Sequence, residues 1–278
     1  MNGEFFLKKE ASISVFDRGF LFSDSVYEVC AVIGGKLVDW HEHFARLMRS
    51  LDHLDIVNNF QEQDFYQVKK KLIKENQLTE GLCYVQVSRG VAERDFNFAK
   101  KSLLPTVVIF TQEKSILNNP ASKSGIKIIT VPDERWQRRD IKTTQLLAQS
   151  LAKTYAIQKG VDDSLLVQDG IINEGSSSNA FIIRDGRIMT PSLSKAILGG
   201  ITRSSLVKFC QMNNIEIREQ KINIDDLMSS QEVFLTSATG FVLPVVEIDG
   251  RNVGNGLVGD MVKEIQRIYL DHIKAKLS

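Results

Sequence analysis

Residues 172–183 read INEGSSSNAFII. One carboxylate, Glu174, stands directly before a glycine, three serines and an asparagine. Apolar runs flank this small-residue stretch: DDSLLVQDG (162–170) before it and NAFIIRDGRIMTP (179–191) after it. Both have the length and composition of buried strands, which makes the whole read as a hairpin. A turn between two strands needs only Gly or Asn. An acid placed there is therefore read as aimed at something that is not protein. The ordinary alternative is a surface turn acid, because Glu is usually exposed.

Outward from this stretch, strands and helices alternate. IKIITVPDE (126–134) reads as a strand and TTQLLAQSLAKTYAIQKG (143–160) as a helix closed by Gly160. A further helix runs from about Thr202 to Asn213, and strands follow within EVFLTSATGFVLPVVEIDG (232–250). The chain ends in an amphipathic helix with Met261, Ile265, Ile268 and His272 as its inner stripe. In the first half, EFFLKK (4–9) and SISVFDRG (12–19) read as short strands, and SVYEVCAVIGGKLVDW (25–40) as a hairpin around Gly34-Gly35. Phe44, Leu47, Leu51 and Leu54 mark a helix, DFYQVKKKLIKEN (64–76) a second, and LCYVQVSRG and PTVVIFTQE two more strands. KSILNNPASKSG (114–125) has linker composition. The expected organisation is α+β in two domains: a small N-terminal one over 1–113, a linker over 114–124, and a larger C-terminal one over 125–278.

Bulk properties narrow the function classes. The chain has 278 residues, is 43% hydrophobic and 25% charged, and carries a formal net charge of +1. That composition is globular and shows no basic footprint for nucleic acid. The longest apolar runs are too short to span a bilayer, and no signal-peptide layout is expected at the N-terminus. Cys30, Cys83 and Cys210 fit neither a metal-ligand spacing nor a disulfide framework, which points to buried thiols and a reducing, cytoplasmic setting. His41 and His43 form an H-x-H pair without a third ligand at a useful spacing, so no metal is expected.

Several places have the residue types for chemistry. Lys142, in RWQRRDIKTTQLL, lies where a strand gives way to a helix, close to Arg138 and Arg139. Desolvation and nearby cations lower a lysine pKa, which suits a Schiff-base nucleophile; a solvated lysine at a helix start is the alternative. Glu174 has the chemistry to keep a heterocyclic nitrogen protonated, the requirement of an electron sink such as pyridoxal phosphate. Gly199 and Gly200 precede Ile201, Thr202 and a periodic helix, which sets free amides at a helix N-terminus where an anion can bind; a plain capped helix after a glycine turn is the alternative. TSATGF (236–241) is a hydroxyl-rich turn, suited to phosphate or to its own backbone. Arg46 falls off the apolar stripe of its helix, as a phosphate-binding or a solvated arginine would.

Taken together, DIKTTQLL and NEGSSSNAFII, at their order and separation, resemble the fold-type IV, or class IV, pyridoxal-phosphate aminotransferases, a family that includes D-amino-acid and branched-chain aminotransferases and aminodeoxychorismate lyase. The resemblance runs from SVFDRGFLFSDSVYEV to VLPVVEIDG. It implies a small N-terminal α/β domain, a larger C-terminal domain with a β-barrel-like sheet, and a homodimer with the active site near the subunit interface. By the same resemblance Lys142 bonds the cofactor aldehyde and later carries the proton, and Glu174 holds the pyridine nitrogen. Arg46, Ile201 and Thr202 contact the phosphate, with Ser237 and Ala238 as further donors, Ala238 through its backbone only.

SRGVAERDFNF is similar to the carboxylate trap of the D-amino-acid branch. Arg94 matches its arginine and Tyr27 its tyrosine. Phe96 stands at its histidine position and Ala31 at a position often held by lysine. The implied reaction moves an amino group between a D-alanine-like amino acid and a 2-oxo acid such as 2-oxoglutarate. A branched-chain L-amino-acid transaminase, a lyase that eliminates pyruvate, and a non-catalytic cofactor-binding protein are the alternatives.

Overall fold

The computed structural model describes residues 1–98, 103–213 and 215–277, and these divide into two compact units. The first comprises Met1–Lys114 with Ile141–Gln145. Its elements in chain order are α1 (Arg18–Phe22), β1 (Ser25–Ile33), β2 (Lys36–Leu37), α2 (Trp40–His53), α3 (Glu62–Glu75), β3 (Glu80–Ser88) and β4 (Thr106–Glu113). The strands form an antiparallel sheet in the order β2-β1-β3-β4. Strands β1 and β3 pair along their full length, from Ser25 opposite Ser88 to Ile33 opposite Glu80. The turn between β1 and β2 has φ of 57° at Gly34 and 74° at Gly35, the left-handed pair that a tight two-residue hairpin demands and glycine adopts at least cost.

Period-two alternation decides what β1 presents to each side. Val26, Glu28, Cys30 and Val32 share one buried face, and α2 packs on this strand. Tyr27, Val29 and Ala31 share the other. The buried side of α2 is wider than its apolar stripe and includes His43, Arg46 and Ser50 beside Phe44, Leu47 and Leu51. Arg46 thus lies inside the packed surface, although its position off the apolar stripe suggested a solvated or ligand-facing side chain.

The segments EFFLKK and SISVFDRG are not strands. Phe5, Phe6, Leu7, Ile13, Val15 and Phe16 are exposed, and among the described residues the second segment makes an isolated bridge, Asp17 to Val91, and no ladder. Period-two apolarity is insufficient where no neighbour offers a ladder. Asp17 instead caps α1, its Oδ1 accepting from Gly19 N at 2.8 Å.

The second unit comprises Ser115–Asp140 with Leu146–Ser278. It contains α4 (Ala121–Ser124), β5 (Ile126–Pro132), α5 (Leu147–Gln158), β6 (Asp163–Gln168), β7 (Ile171–Gly175), β8 (Asn179–Arg184), β9 (Arg187–Thr190), α6 (Ile201–Met212), β10 (Ile217–Glu219), α7 (Ile224–Met228), β11 (Glu232–Ser237), β12 (Phe241–Ile248), β13 (Arg251–Asn252) and α8 (Asp260–Leu277). One mixed sheet runs β10-β9-β8-β11-β12-β5-β6-β7, with β13 on β12, and curls into a half barrel. Ile128, Leu165, Ile172, Ile182, Val233, Leu235 and Val245 form its central packing.

Strands β7 and β8 are consecutive in the chain yet are not ladder partners. Glu174 is therefore not in a hairpin loop. It is the penultimate residue of β7, and residues 176–178 carry the chain across to β8, which pairs with β9 and β11. The inner stripe of α8 is Val262, Ile265, Tyr269 and Ile273, one position on from the expected Met261, Ile268 and His272. Both ladders obey helical spacing, and the larger Tyr269, set edge-on against Phe241 at 5.3 Å, decides between them.

Candidate active site

In the first unit, a segment distant in sequence is stitched onto β1. Tyr27 N donates to Lys142 O at 3.0 Å, Thr143 bridges Val26, and Thr144 N donates to Ser25 O at 3.2 Å. The hydroxyls of Ser25 and Thr144 meet at 2.5 Å, and Lys142 N reaches Ser50 Oγ at 3.4 Å. These bonds fix a lysine that belongs to no helix or strand. Its Nζ lies 4.2 Å from the centroid of the Tyr27 ring. That ring stacks on Tyr84 at 5.5 Å, and Tyr84 stacks on Phe110 at 4.7 Å. Lys142 and Tyr27 are thus brought together, with the amine over an aromatic face. Ala31 lies further along the same face of β1, buried and paired with Leu82.

Arg46 has a partner that its sequence position did not suggest. Its Nε and Nη2 donate to Glu28 Oε1 and Oε2 at 2.7 and 2.8 Å, a bidentate pair in the interior. His43 Nδ1 lies 2.7 Å from Glu28 Oε2, and Cys30 contacts the same imidazole. Burial alone would raise the Glu28 pKa, but Arg46 and His43 together hold it well below the carboxylate range. Burial would likewise lower His43, yet contacts with Cys30 and Glu28 push it up to about 9. His41 faces the other way and meets Glu62 at 3.0 Å, so the two histidines of the H-x-H pair serve different partners. The signal for this cluster was present in the sequence: an acid on the buried face of an apolar strand requires a cation.

Arg94 and Phe96 are exposed, Phe96 to 79%. The Arg94 guanidinium stands 5.5 Å from the rings of both Phe22 and Phe96. Among the described residues it pairs with neither Glu93 nor Asp95 in an ion pair. The loop is tethered instead by Arg18 Nη1, which donates to Asp95 O at 2.7 Å.

In the second unit, Glu174 is buried and held by three donors. Arg135 Nη1 binds Oε1, while Asn179 Nδ2 at 3.1 Å and Leu198 N at 3.0 Å bind Oε2. Burial raises its pKa, and Arg135 opposes that rise. Arg135 is itself oriented by Asp133, through bonds of 2.9 and 2.7 Å. The supporting residues Arg135, Asp133 and Asn179 escaped sequence reading, because salt-bridge partners far apart in a loop-rich stretch have no fixed spacing. Arg138 and Arg139, expected to act on Lys142, are paired inside this unit: Arg138 with Asp140 at 3.1 Å, and Arg139 with Gln168 at 2.9 Å and Asp133 at 3.5 Å.

Glu174 also meets the glycine turn. Asn179 Nδ2 donates to Leu198 O at 2.8 Å as well, so carboxylate, amide and turn lock together just before α6. A Cβ on Gly200 would lie 2.0 Å from Asn179 Oδ1, so only glycine lets the chain pass this close. Gly200 caps α6, and the amides of Ile201 and Thr202 are among the first N–H groups of a helix, which lack intrahelical partners. Strand β11 pairs Thr236 opposite Asn179 and then ends at Ser237, whose Oγ accepts from Gly240 N at 3.0 Å, with Ala238 next in that turn. Ser178 Oγ and Thr236 Oγ1 are buried without a hydrogen-bond partner among the described residues. A fixed carboxylate acceptor, helix-start amide donors and orphaned hydroxyls form a polar set suited to a phosphorylated heterocycle.

Comparison with known proteins agrees with this chemistry. The family model described as Amino-transferase class IV matches residues 25–248. A D-alanine aminotransferase of Staphylococcus aureus (strain MSSA476) is 35% identical over 99% of this chain and 97% of its own length. Among solved structures, a branched-chain amino acid aminotransferase of Escherichia coli has a TM-score of 0.90 at 22% identity, covering 98% of this chain and 93% of that one, and shares the fold. A T.th. branched-chain amino acid aminotransferase complexed with N-(5'-phosphopyridoxyl)-L-glutamate has a TM-score of 0.88 at 26% identity, covering 99% of this chain and 93% of that one. By the match across most of its length, the chain belongs to the class IV aminotransferases, enzymes that use pyridoxal phosphate.

Proposed function

We propose that this enzyme transfers the amino group between a D-alanine-like D-amino acid and a 2-oxo acid such as 2-oxoglutarate. The observation that carries the reading is the full-length similarity to D-alanine aminotransferase, together with Tyr27 and Arg94 at the positions where the D-amino-acid branch anchors its substrate carboxylate. Pyridoxal phosphate, when bound, supplies an electron sink for the substrate α-carbon. Lys142 would present its Nζ to the cofactor aldehyde and, when free, would serve as the base for the substrate α-proton at that same atom. Tyr27 lends that amine an aromatic face. Glu174, whose upward pKa shift on burial Arg135 opposes, would face the ring nitrogen and hold its proton. Arg46, the amides of Ile201 and Thr202, the Ser237 hydroxyl and the Ala238 amide would hold the cofactor phosphate. Arg94 receives the substrate carboxylate, beside Phe96.

The same reading makes the protein a cytoplasmic homodimer. Leu147, Leu151 and Tyr155 form an exposed apolar stripe on α5, the kind of face that a second copy covers. The three cysteines are free and buried. Among the described residues no helix is long and apolar enough to cross a membrane.

Purified protein with pyridoxal phosphate is expected to be yellow, and borohydride to fix the label on the peptide containing Lys142. D-alanine with 2-oxoglutarate is expected to yield pyruvate and D-glutamate. Turnover of L-leucine without D-alanine would move the assignment to the branched-chain group. Pyruvate from aminodeoxychorismate without an amino acceptor would make the enzyme a lyase.

A further inference from the structure

The Arg46–Glu28 pair poses an electrostatic problem. A guanidinium bound on two N–H groups by a buried carboxylate is neutralised, and a neutral pair is a poor holder of a doubly charged phosphate. The third member of the cluster removes the difficulty. His43 reaches the same carboxylate at 2.7 Å and is as buried as its partners.

We infer that a protonated His43 restores the net positive charge of the Arg46–Glu28 pair and so holds the cofactor phosphate at Arg46. His43 is then a positioning residue: it acts through Glu28 and Arg46 rather than by touching the cofactor. The inference rests on the reading of Arg46 as a phosphate ligand.

Geometry supports it from each side. On β1, Glu28 and Cys30 face the imidazole. On α2 itself, Arg46 lies one turn away, and His43 N donates to Asp39 O at 3.1 Å. From α3, Lys69 directs its ammonium to the face of Trp40 at 3.7 Å. Only Glu28 places a carboxylate in hydrogen-bond contact with the imidazole among the described residues, and Glu28 accepts from both cations at once. The upward shift of His43 to about 9 means that the extra charge is present at neutral pH and is lost in alkali.

The test compares pyridoxal phosphate with pyridoxal, which lacks the phosphate, by equilibrium dialysis against the apoprotein. Groups that titrate on the ring or on Lys142 act on both compounds, so the ratio of the two affinities isolates the phosphate. In the native protein that ratio is expected to fall as pH rises through about 9. His43→Asn keeps a neutral donor toward Glu28 and removes the charge. It is expected to weaken pyridoxal phosphate about tenfold at pH 7.5, to leave pyridoxal little changed, and to flatten the pH profile of the ratio.

Native affinity and native profile in His43→Asn would overturn the inference. If that variant does not fold, the native profile decides alone: a ratio constant from neutral to alkaline pH would also overturn it. Arg46→Gln separates the two levels. Loss of affinity for pyridoxal phosphate but not pyridoxal supports Arg46 as the phosphate ligand, whatever His43 does. An equal loss for both compounds removes Arg46 from the phosphate site and takes the inference with it.

Discussion

Replacing Arg135 by Met tests the electrostatic support of Glu174 without any cofactor present. Arg135 and Glu174 each expose 6% of their side chains, and the Asp133 side chain is fully buried. Arg135→Met keeps the apolar volume and strips both carboxylates of their main cation. Breaking a buried pair by removing one partner costs about 3–5 kcal/mol. Glu174 would keep Asn179 and Leu198 as donors, and Asp133 would keep Asn173 at 2.8 Å and Arg139 at 3.5 Å. Those remaining bonds place the expected loss near the lower end, about 3 kcal/mol at pH 8.

The loss has a definite pH dependence. The Glu174 pKa is already raised by burial, so its contribution to stability is complete below the unfolded value and declines as pH rises through the folded one. Without Arg135 it rises further, each unit corresponding to about 1.4 kcal/mol. Asp133 behaves oppositely: Arg135 holds its pKa down despite burial, so its share of the stability is present above the unfolded value. Its loss in the variant persists into mild acid. The gap between native and variant apoprotein is therefore expected to be widest at pH 8 and to narrow, without closing, toward pH 5. Urea denaturation at three pH values measures it. A gap under about 1 kcal/mol at pH 8, or one that does not change with pH, would refute the reasoning and reduce Arg135 to packing.

Lys142→Ala is expected to abolish transamination and borohydride labelling while leaving the far-ultraviolet circular dichroism native; residual turnover at native rates would remove Lys142 from the chemistry. Phe96→His restores the carboxylate donor of the D-amino-acid branch. A charge-assisted bond of about 1.5–3 kcal/mol should lower KM for D-alanine at least tenfold, and steady-state kinetics would show it. Gly200→Ala sets a Cβ 2.0 Å from Asn179 Oδ1, which should cost about 1–3 kcal/mol of stability and weaken cofactor binding by loosening Glu174. A variant with native melting temperature and cofactor affinity would contradict that steric account.

The strand and helix pattern was legible because hydrophobic periodicity is local. The hairpin at Gly34-Gly35, the helices at 147–158 and 201–212, and the strands either side of Glu174 all follow from composition and spacing within windows of some ten residues. Where reading failed, the missing information was a neighbour. The segments EFFLKK and SISVFDRG have strand-like residues but no ladder to join. The last helix offers two acceptable stripes, and packing against Phe241 selects one. Glu174 looks like a turn residue until the curled sheet separates β7 from β8.

By itself the sequence determined the family and the order of its chemical groups: a lysine, an acid before small residues, and a glycine-led helix. Those are properties of residue type and spacing, which the chain carries linearly. The tertiary structure alone decided which charges are matched. Arg46 lies against Glu28 and His43 rather than water, Arg138 and Arg139 are taken up by other partners, and Arg135 arrives beside Glu174 across 39 positions. Coulomb energy depends on distance and burial in space, and neither quantity is written in the linear order of the residues.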